Sequence, residues 1–318
     1  MLQKIAKATR WFLREVDWTL HRGEAPVAPP RAAPAHSRVL QPLRRIVLTD
    51  GVSRTLFEEY AEHRAGSRGA EETGWLLLCQ RSEDQAVALA TLPAGTRRQA
   101  GVAHVQFNAP GQLLGSRIVR QADRRLTNLG VVHTHPGSLR HPSDGDFRGD
   151  SVWVSQLRGQ EGVFGIGTAD SELNGDGGLG RHPKPNVQLF GDLRMSWYSL
   201  REGDRGYRPL PVELVLGPDL ARPLHSIWPV LEAHAEQLER LATQQARVRF
   251  DLVAGKAGPA LAVHLPLAEP ETAIRILLEG EDVRYLFVRG DDVFEAETRE
   301  DRIDRAVYLM LAKLAAQS

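Results

Sequence analysis

A chain of 318 residues, 42% apolar and 25% charged, has room for two ordinary domains and the composition of a soluble globular protein. Its 40 Lys and Arg balance 40 Asp and Glu, which argues against nucleic-acid partners and acidic tails. A single cysteine, Cys79, excludes an internal disulfide and makes a reducing cytoplasm the expected setting.

No run of about 18 apolar residues offers a transmembrane segment. The N-terminus is basic but lacks the continuous apolar stretch of a secretory signal. Lysines are confined to Lys4, Lys7, Lys184, Lys256 and Lys313 while arginines abound, a usage that fits a GC-rich bacterial genome.

Residues 1–22 have the spacing of an amphipathic helix, with Leu2, Ile5, Thr9, Phe12, Val16 and Leu20 in helical step. A Pro/Ala-rich linker follows over 23–42. The main domain is expected over 43–211. Strands are read at RRIVLTD, GWLLLCQ, AVALATLPA and VAHVQFN, with a helix at VSRTLFEEYAEHR. PGQLLGSRIVRQADRRLTNL reads as a helix with Pro110 in its first turn. GVVHTHP reads as a short strand stopped by Pro136, and SDGDFRGDSVWVSQLRG as a helix capped by Ser143. VFGIGTA and VQLFGDLRMSWYSLR read as strands, separated by a Gly/Pro-rich loop over 170–186 that could serve as a flap or be a plain loop. The mixture predicts a mixed α+β fold, a sheet with helices on its faces.

A second α+β domain is expected over 212–318, suited to recognising substrate or partner. It would hold a long helix over 218–245, strands at VRFDLVAG and ALAVHLPL, and a helix at ETAIRILLEG. A hairpin turning at Gly290–Asp291 and a final amphipathic helix over 300–318 complete it. No catalytic motif lies in it.

The chemistry concentrates in VVHTHPGSLRHPSDGD. His133 and His135 stand two apart on a strand, so both imidazoles point to one face and make half of a metal site. Ser143 and Asp146 sit three apart at a helix start, where a carboxylate is favoured by the helix dipole. Asp146 is the candidate third ligand. Three protein ligands leave the fourth tetrahedral position of a zinc ion to water, the catalytic arrangement. Glu72, just before an apolar strand, is the candidate base. It would take the water's proton and pass it to the leaving amine, which leaves badly unless protonated. Ser143 is the candidate donor to the developing oxyanion.

The spacing His-x-His, seven residues, Ser, two residues, Asp resembles the signature of the JAB/MPN family of JAMM metallopeptidases. It is met by His133, His135, Ser143 and Asp146, and its distant half by Glu72, Thr73 and Gly74. The resemblance covers roughly residues 43–210. It implies a zinc cofactor on His133, His135 and Asp146, with Glu72 activating water and Ser143 steadying the oxyanion. The implied activity is cleavage of peptide or isopeptide bonds after the C-terminal residue of ubiquitin-like proteins. It further implies deubiquitinase-like proteases of bacterial ubiquitin-like conjugation operons, linked to antiviral defence, whose partners are a ubiquitin-like protein and its activating and conjugating enzymes. Trp75 and Cys79 stand where the family often has glycines, and Trp75 is expected to narrow the substrate channel.

Each residue also has a plainer reading. Ser143 to Asp146 alone is a capping box, Glu72 beside Glu71 a solvated strand end, and Cys79 inert core. Asp150 is expected behind the ligands, His141 as a solvated loop residue, and His104 and His264 as strand residues without chemistry. Two alternatives stay open: a JAMM hydrolase of another peptide or amide, and a non-catalytic MPN scaffold. Other zinc motifs fail, since the chain has no His-Glu-x-x-His and too few cysteines for a nucleobase deaminase.

Overall fold

The computed structural model describes residues 40–96, 99–101, 105–169, 180–256 and 258–316. The expected helix over 1–22, nearly all of the linker, most of the 170–186 loop and His104 lie outside the described residues. The chain divides into two compact units, in their described parts 40–226 and 227–316.

The first unit runs β1 (Arg45–Thr49), α1 (Asp50–Ala65), β2 (Gly74–Arg81), β3 (Gln85–Pro93), β4 (Gln99–Ala100), β5 (Val105–Gln106), α2 (Ala109–Ala122) and β6 (Thr127–Thr134). It continues with α3 (Asp144–Val154), β7 (Glu161–Thr168), β8 (Arg181–Lys184), β9 (Val187–Phe190), β10 (Leu193–Arg201), β11 (Arg208–Pro209), β12 (Val212–Val215) and α4 (Arg222–His225). One mixed sheet has the order β12-β1-β3-β2-β6-β7-β10-β9-β8, with β11 alongside β10. The pairs β1/β12, β1/β3 and β6/β7 are parallel, and the others antiparallel.

Strand alternation divides the core between the two faces. Val52, Leu56, Phe57 and Tyr60 of α1 pack with Ile46, Leu48, Val132, Val163, Met195 and Trp197. On the opposite face Val154 and Leu157 pack with Phe164 and Leu200, joined by Val131, Phe147, Trp153, Tyr198 and Tyr207. Val131 lies in the second cluster and Val132 in the first, so His133, in step with Val131, projects to the α3 side.

Three boundaries move from their expected places. The helix read through residue 129 stops at Ala122, because the Asp123 carboxylate turns the chain by accepting from the Arg125 amide at 2.9 Å. The single strand expected over 187–201 is a hairpin, with Gly191 at φ +60° in its two-residue turn. The domain expected to close at 211 continues to 226, since Val212–Val215 pairs with β1. A part-buried polar knot holds that extension. Glu59 Oε1 accepts from His225 Nδ1 at 2.5 Å, and Glu59 Oε2 from Trp75 Nε1 at 2.7 Å. His225 Nε2 donates to Thr91 O at 2.7 Å, so both ring nitrogens face acceptors and the imidazole is held protonated. Burial works against that charge, and Glu59 outweighs it to raise the His225 pKa.

The second unit holds α5 (Trp228–Gln244), a five-stranded antiparallel meander and α6 (Ile303–Ala316). The meander comprises β13 (Arg249–Ala254), β14 (Pro259–Pro266), β15 (Thr272–Glu279), β16 (Asp282–Arg289) and β17 (Asp292–Ala296). The hairpin turn between β16 and β17 falls at Gly290–Asp291. The long helix expected over 218–245 is broken between His225 and Trp228; Pro229, within the first turn of α5, lacks the N–H that would continue it backward. The expected helix at ETAIRILLEG is the strand β15. Ile274, Ile276 and Leu278 are buried while Arg275 is exposed, a period of two with partners on both sides. Among the described residues no helix is long and apolar enough to cross a membrane.

Candidate metal centre

The end of β6 carries two imidazoles because its register is held from both sides. His133 pairs with Gly74 on β2 and with Ile166 on β7, and the His135 amide donates to Gly167 O at 2.8 Å. Both residues are 6% exposed. Their Nε2 atoms lie 3.1 Å apart. Asp146, in the first turn of α3, brings Oδ1 to 3.4 Å from His133 Nε2 and Oδ2 to 3.5 Å from His135 Nε2. One ligand atom from each residue falls within 4.8 Å of the others, a group that could hold a metal ion. Three lone-pair donors converging in a buried spot repel one another unless a cation or shared protons lie among them, so this donor set fits a divalent metal.

The surroundings fix the ligands. His135 Nδ1 donates to Leu139 O at 2.7 Å; a carbonyl only accepts, so the proton sits on Nδ1 and Nε2 is left to coordinate. Ser143 caps α3 in a full capping box. Its amide and hydroxyl donate to Asp146 Oδ2 at 2.6 and 2.8 Å, while the Asp146 amide donates to Ser143 Oγ at 3.2 Å. The cap thereby orients the carboxylate. Burial works to raise the Asp146 pKa, but the facing His133 and His135 rings and the Ser143 amide outweigh it and hold the carboxyl well below the usual carboxylate range.

Glu72 joins them through the β2–β6 ladder. Thr134 N donates to Thr73 O at 2.9 Å and Thr73 N to Thr134 Oγ1 at 3.0 Å, continuing the register beyond Gly74 and bringing Glu72 alongside His135. Glu72 is 4% exposed. Burial pushes its carboxyl up to about 7, His135 opposing and Asp146 adding to the rise. Gly74, on the same face, must lack a side chain: a Cβ there would stand 2.7 Å from Val132 O, 3.0 Å from the Phe107 ring and 3.4 Å from His133 Cβ.

The remaining residues separate cleanly. Trp75 does not narrow a channel. It is 2% exposed in the core under α1, its indole bonded to Glu59, because strand alternation turns it away from Gly74. Glu71 is occupied by Arg68 at 2.6 Å. Cys79 is buried, and burial raises its thiol to about 12, as suits inert core. Asp150, one turn beyond Asp146, accepts from Tyr207 at 2.7 Å; burial pushes its carboxyl up to about 7, Tyr207 opposing and Asp146 adding. His141 is exposed, Asp144 is exposed at the helix start, and His264 lies in β14 of the other unit. Sequence reading passed over Thr134, Tyr198, whose hydroxyl donates to Arg140 O at 3.0 Å, and the Leu139 carbonyl. Thr134 could have been found from its place between the two histidines. The others act on or through backbone atoms, which leave no side-chain signal.

Residues 53–172 match the family profile described as prokaryotic homologs of the JAB domain, a span that holds Glu72, the histidine pair, Ser143 and Asp146. Over that span the chain carries a domain similar to those of the JAB/MPN family. A JAB domain serves as a hydrolase or as a scaffold, and the His-His-Asp group is compatible with a metal site. A comparison with curated proteins returns no match.

Proposed function

We propose that this chain is a zinc-dependent peptidase or isopeptidase acting after the C-terminal residue of a ubiquitin-like protein. The observation that carries it is the buried convergence of His133, His135 and Asp146 with Glu72 on the same sheet face. Bound there, zinc supplies Lewis acidity and a water acidified to near neutral pH. Glu72 holds a carboxyl whose proton affinity suits neutral pH, so it accepts the attacking water's proton and returns it to the leaving amine. Ser143 contributes a hydroxyl beside the ligands as the donor for a developing oxyanion; at rest that hydroxyl is bonded to Asp146.

The motif's resemblance supports the substrate class, a ubiquitin-like protein or its conjugates, with activating and conjugating enzymes as further partners in the cytoplasm. The second unit is then suited to recognition. Zinc-loaded protein is expected to cut a linear fusion of a ubiquitin-like domain, ending in Gly-Gly, from a C-terminal reporter, with mass spectrometry placing the cut after the last glycine. Equal cleavage of short unrelated peptides would point to another amide substrate, and an inert, fully metallated protein would favour the scaffold.

A further inference from the structure

The loop between the histidine pair and α3, residues 136–142, is exposed along most of its length, yet it supplies the carbonyl that sets the tautomer of His135. Tyr198 reaches this loop from β10. Its hydroxyl donates to Arg140 O at 3.0 Å, one residue from the Leu139 carbonyl that accepts from His135 Nδ1 at 2.7 Å. Two neighbouring carbonyls are thus held, one by a candidate ligand and the other by a side chain 58 residues further along the chain.

The Tyr198 ring is itself fixed. It stands opposite Phe164 in the β7–β10 ladder, and its ring meets Tyr207 edge-on at 6.3 Å. Tyr207 packs edge-on against Phe147 of α3 at 6.0 Å and against Phe164 at 5.4 Å, and donates to Asp150 of α3 at 2.7 Å. The same two tyrosines therefore touch the loop behind His135 and the helix that carries Asp146.

We propose that Tyr198 is a positioning residue of the metal centre, its hydroxyl holding the 139–140 backbone so that Leu139 O keeps His135 Nε2 turned to the cluster. The proposal rests on the metal-binding reading above. Direct hydrogen-bond partners of a histidine ligand change metal affinity about 10- to 100-fold when removed, and Tyr198, which holds the residue next to such a partner, is expected at the lower end of that range.

The test is Tyr198→Phe in the full-length protein, which deletes the hydroxyl and keeps the ring. Zinc affinity is measured by chelator competition, the cobalt(II) form by visible absorption, and the metal-free protein by thermal unfolding. The expected result is zinc binding at least about tenfold weaker than wild type, an altered cobalt spectrum and an unchanged metal-free unfolding midpoint. Wild-type affinity and spectrum in the variant would overturn the proposal. So would a lowered metal-free midpoint accompanying the loss, which would assign Tyr198 to general packing. A wild type that binds neither metal would instead reject the metal-site reading itself.

Discussion

Glu72→Gln is expected to leave the metal bound and to cut turnover by about 10²–10⁴, the range contributed by a positioned general base. The substitution keeps the shape of a side chain that is 4% exposed and touches none of the three candidate ligands' identities. What it removes is a group able to exchange a proton at neutral pH, a property that burial confers by pushing the carboxyl up to about 7. Glu71 is poorly placed to substitute, because its carboxylate is paired with Arg68 at 2.6 Å. Turnover compared at equal metal content decides the matter. A rate within a few-fold of wild type would remove Glu72 from the chemistry.

The second large effect concerns stability. Glu161 opens β7 with its carboxylate 1% exposed, where it accepts from Leu43 N at 2.9 and 3.1 Å, from Arg81 at 2.9 Å and from Arg208 at 2.6 Å. Arg81 is equally buried, and among the described residues its Nε and Nη1 have no hydrogen-bond partner. Glu161→Gln therefore leaves a buried guanidinium without its countercharge, a loss of about 3–5 kcal/mol. For a domain of this size that lowers the unfolding midpoint by about 10 °C or somewhat more. Arg208 is half exposed and keeps Asp204 at 3.4 Å, so the cost falls on Arg81. Pairing Glu161→Leu with Arg81→Met should be milder than Glu161→Leu alone, since removing both charges ends the mismatch. A Glu161→Gln midpoint within about 2 °C of wild type, under 1 kcal/mol, would contradict this account of the network.

The site was more legible than the fold around it because its signals are local. Two histidines in strand step and a Ser-x-x-Asp helix start each declare a geometry within a few residues. The same alternation turns Trp75 away from Gly74, and applying it to β2 corrects the expected channel. What sequence left out depends on distant partners. Val212–Val215 becomes part of the first unit only through pairing with β1, more than 160 residues earlier. β15 has the short, apolar, β-branched run that fits helix or strand until neighbours on both sides decide. β8 lay in a Gly/Pro-rich stretch and is defined by its hairpin with β9. Tyr198 meets a backbone carbonyl, so no residue type near the histidines announces it.

The most direct measurement is the metal content of purified protein supplied with zinc, by elemental mass spectrometry, beside His133→Ala and Asp146→Ala. A centre built from these ligands predicts about one zinc per chain in the wild type and loss of the metal in both variants. A wild type that takes up no metal, or variants that retain it in full, would contradict the assignment of His133, His135 and Asp146 as a metal centre.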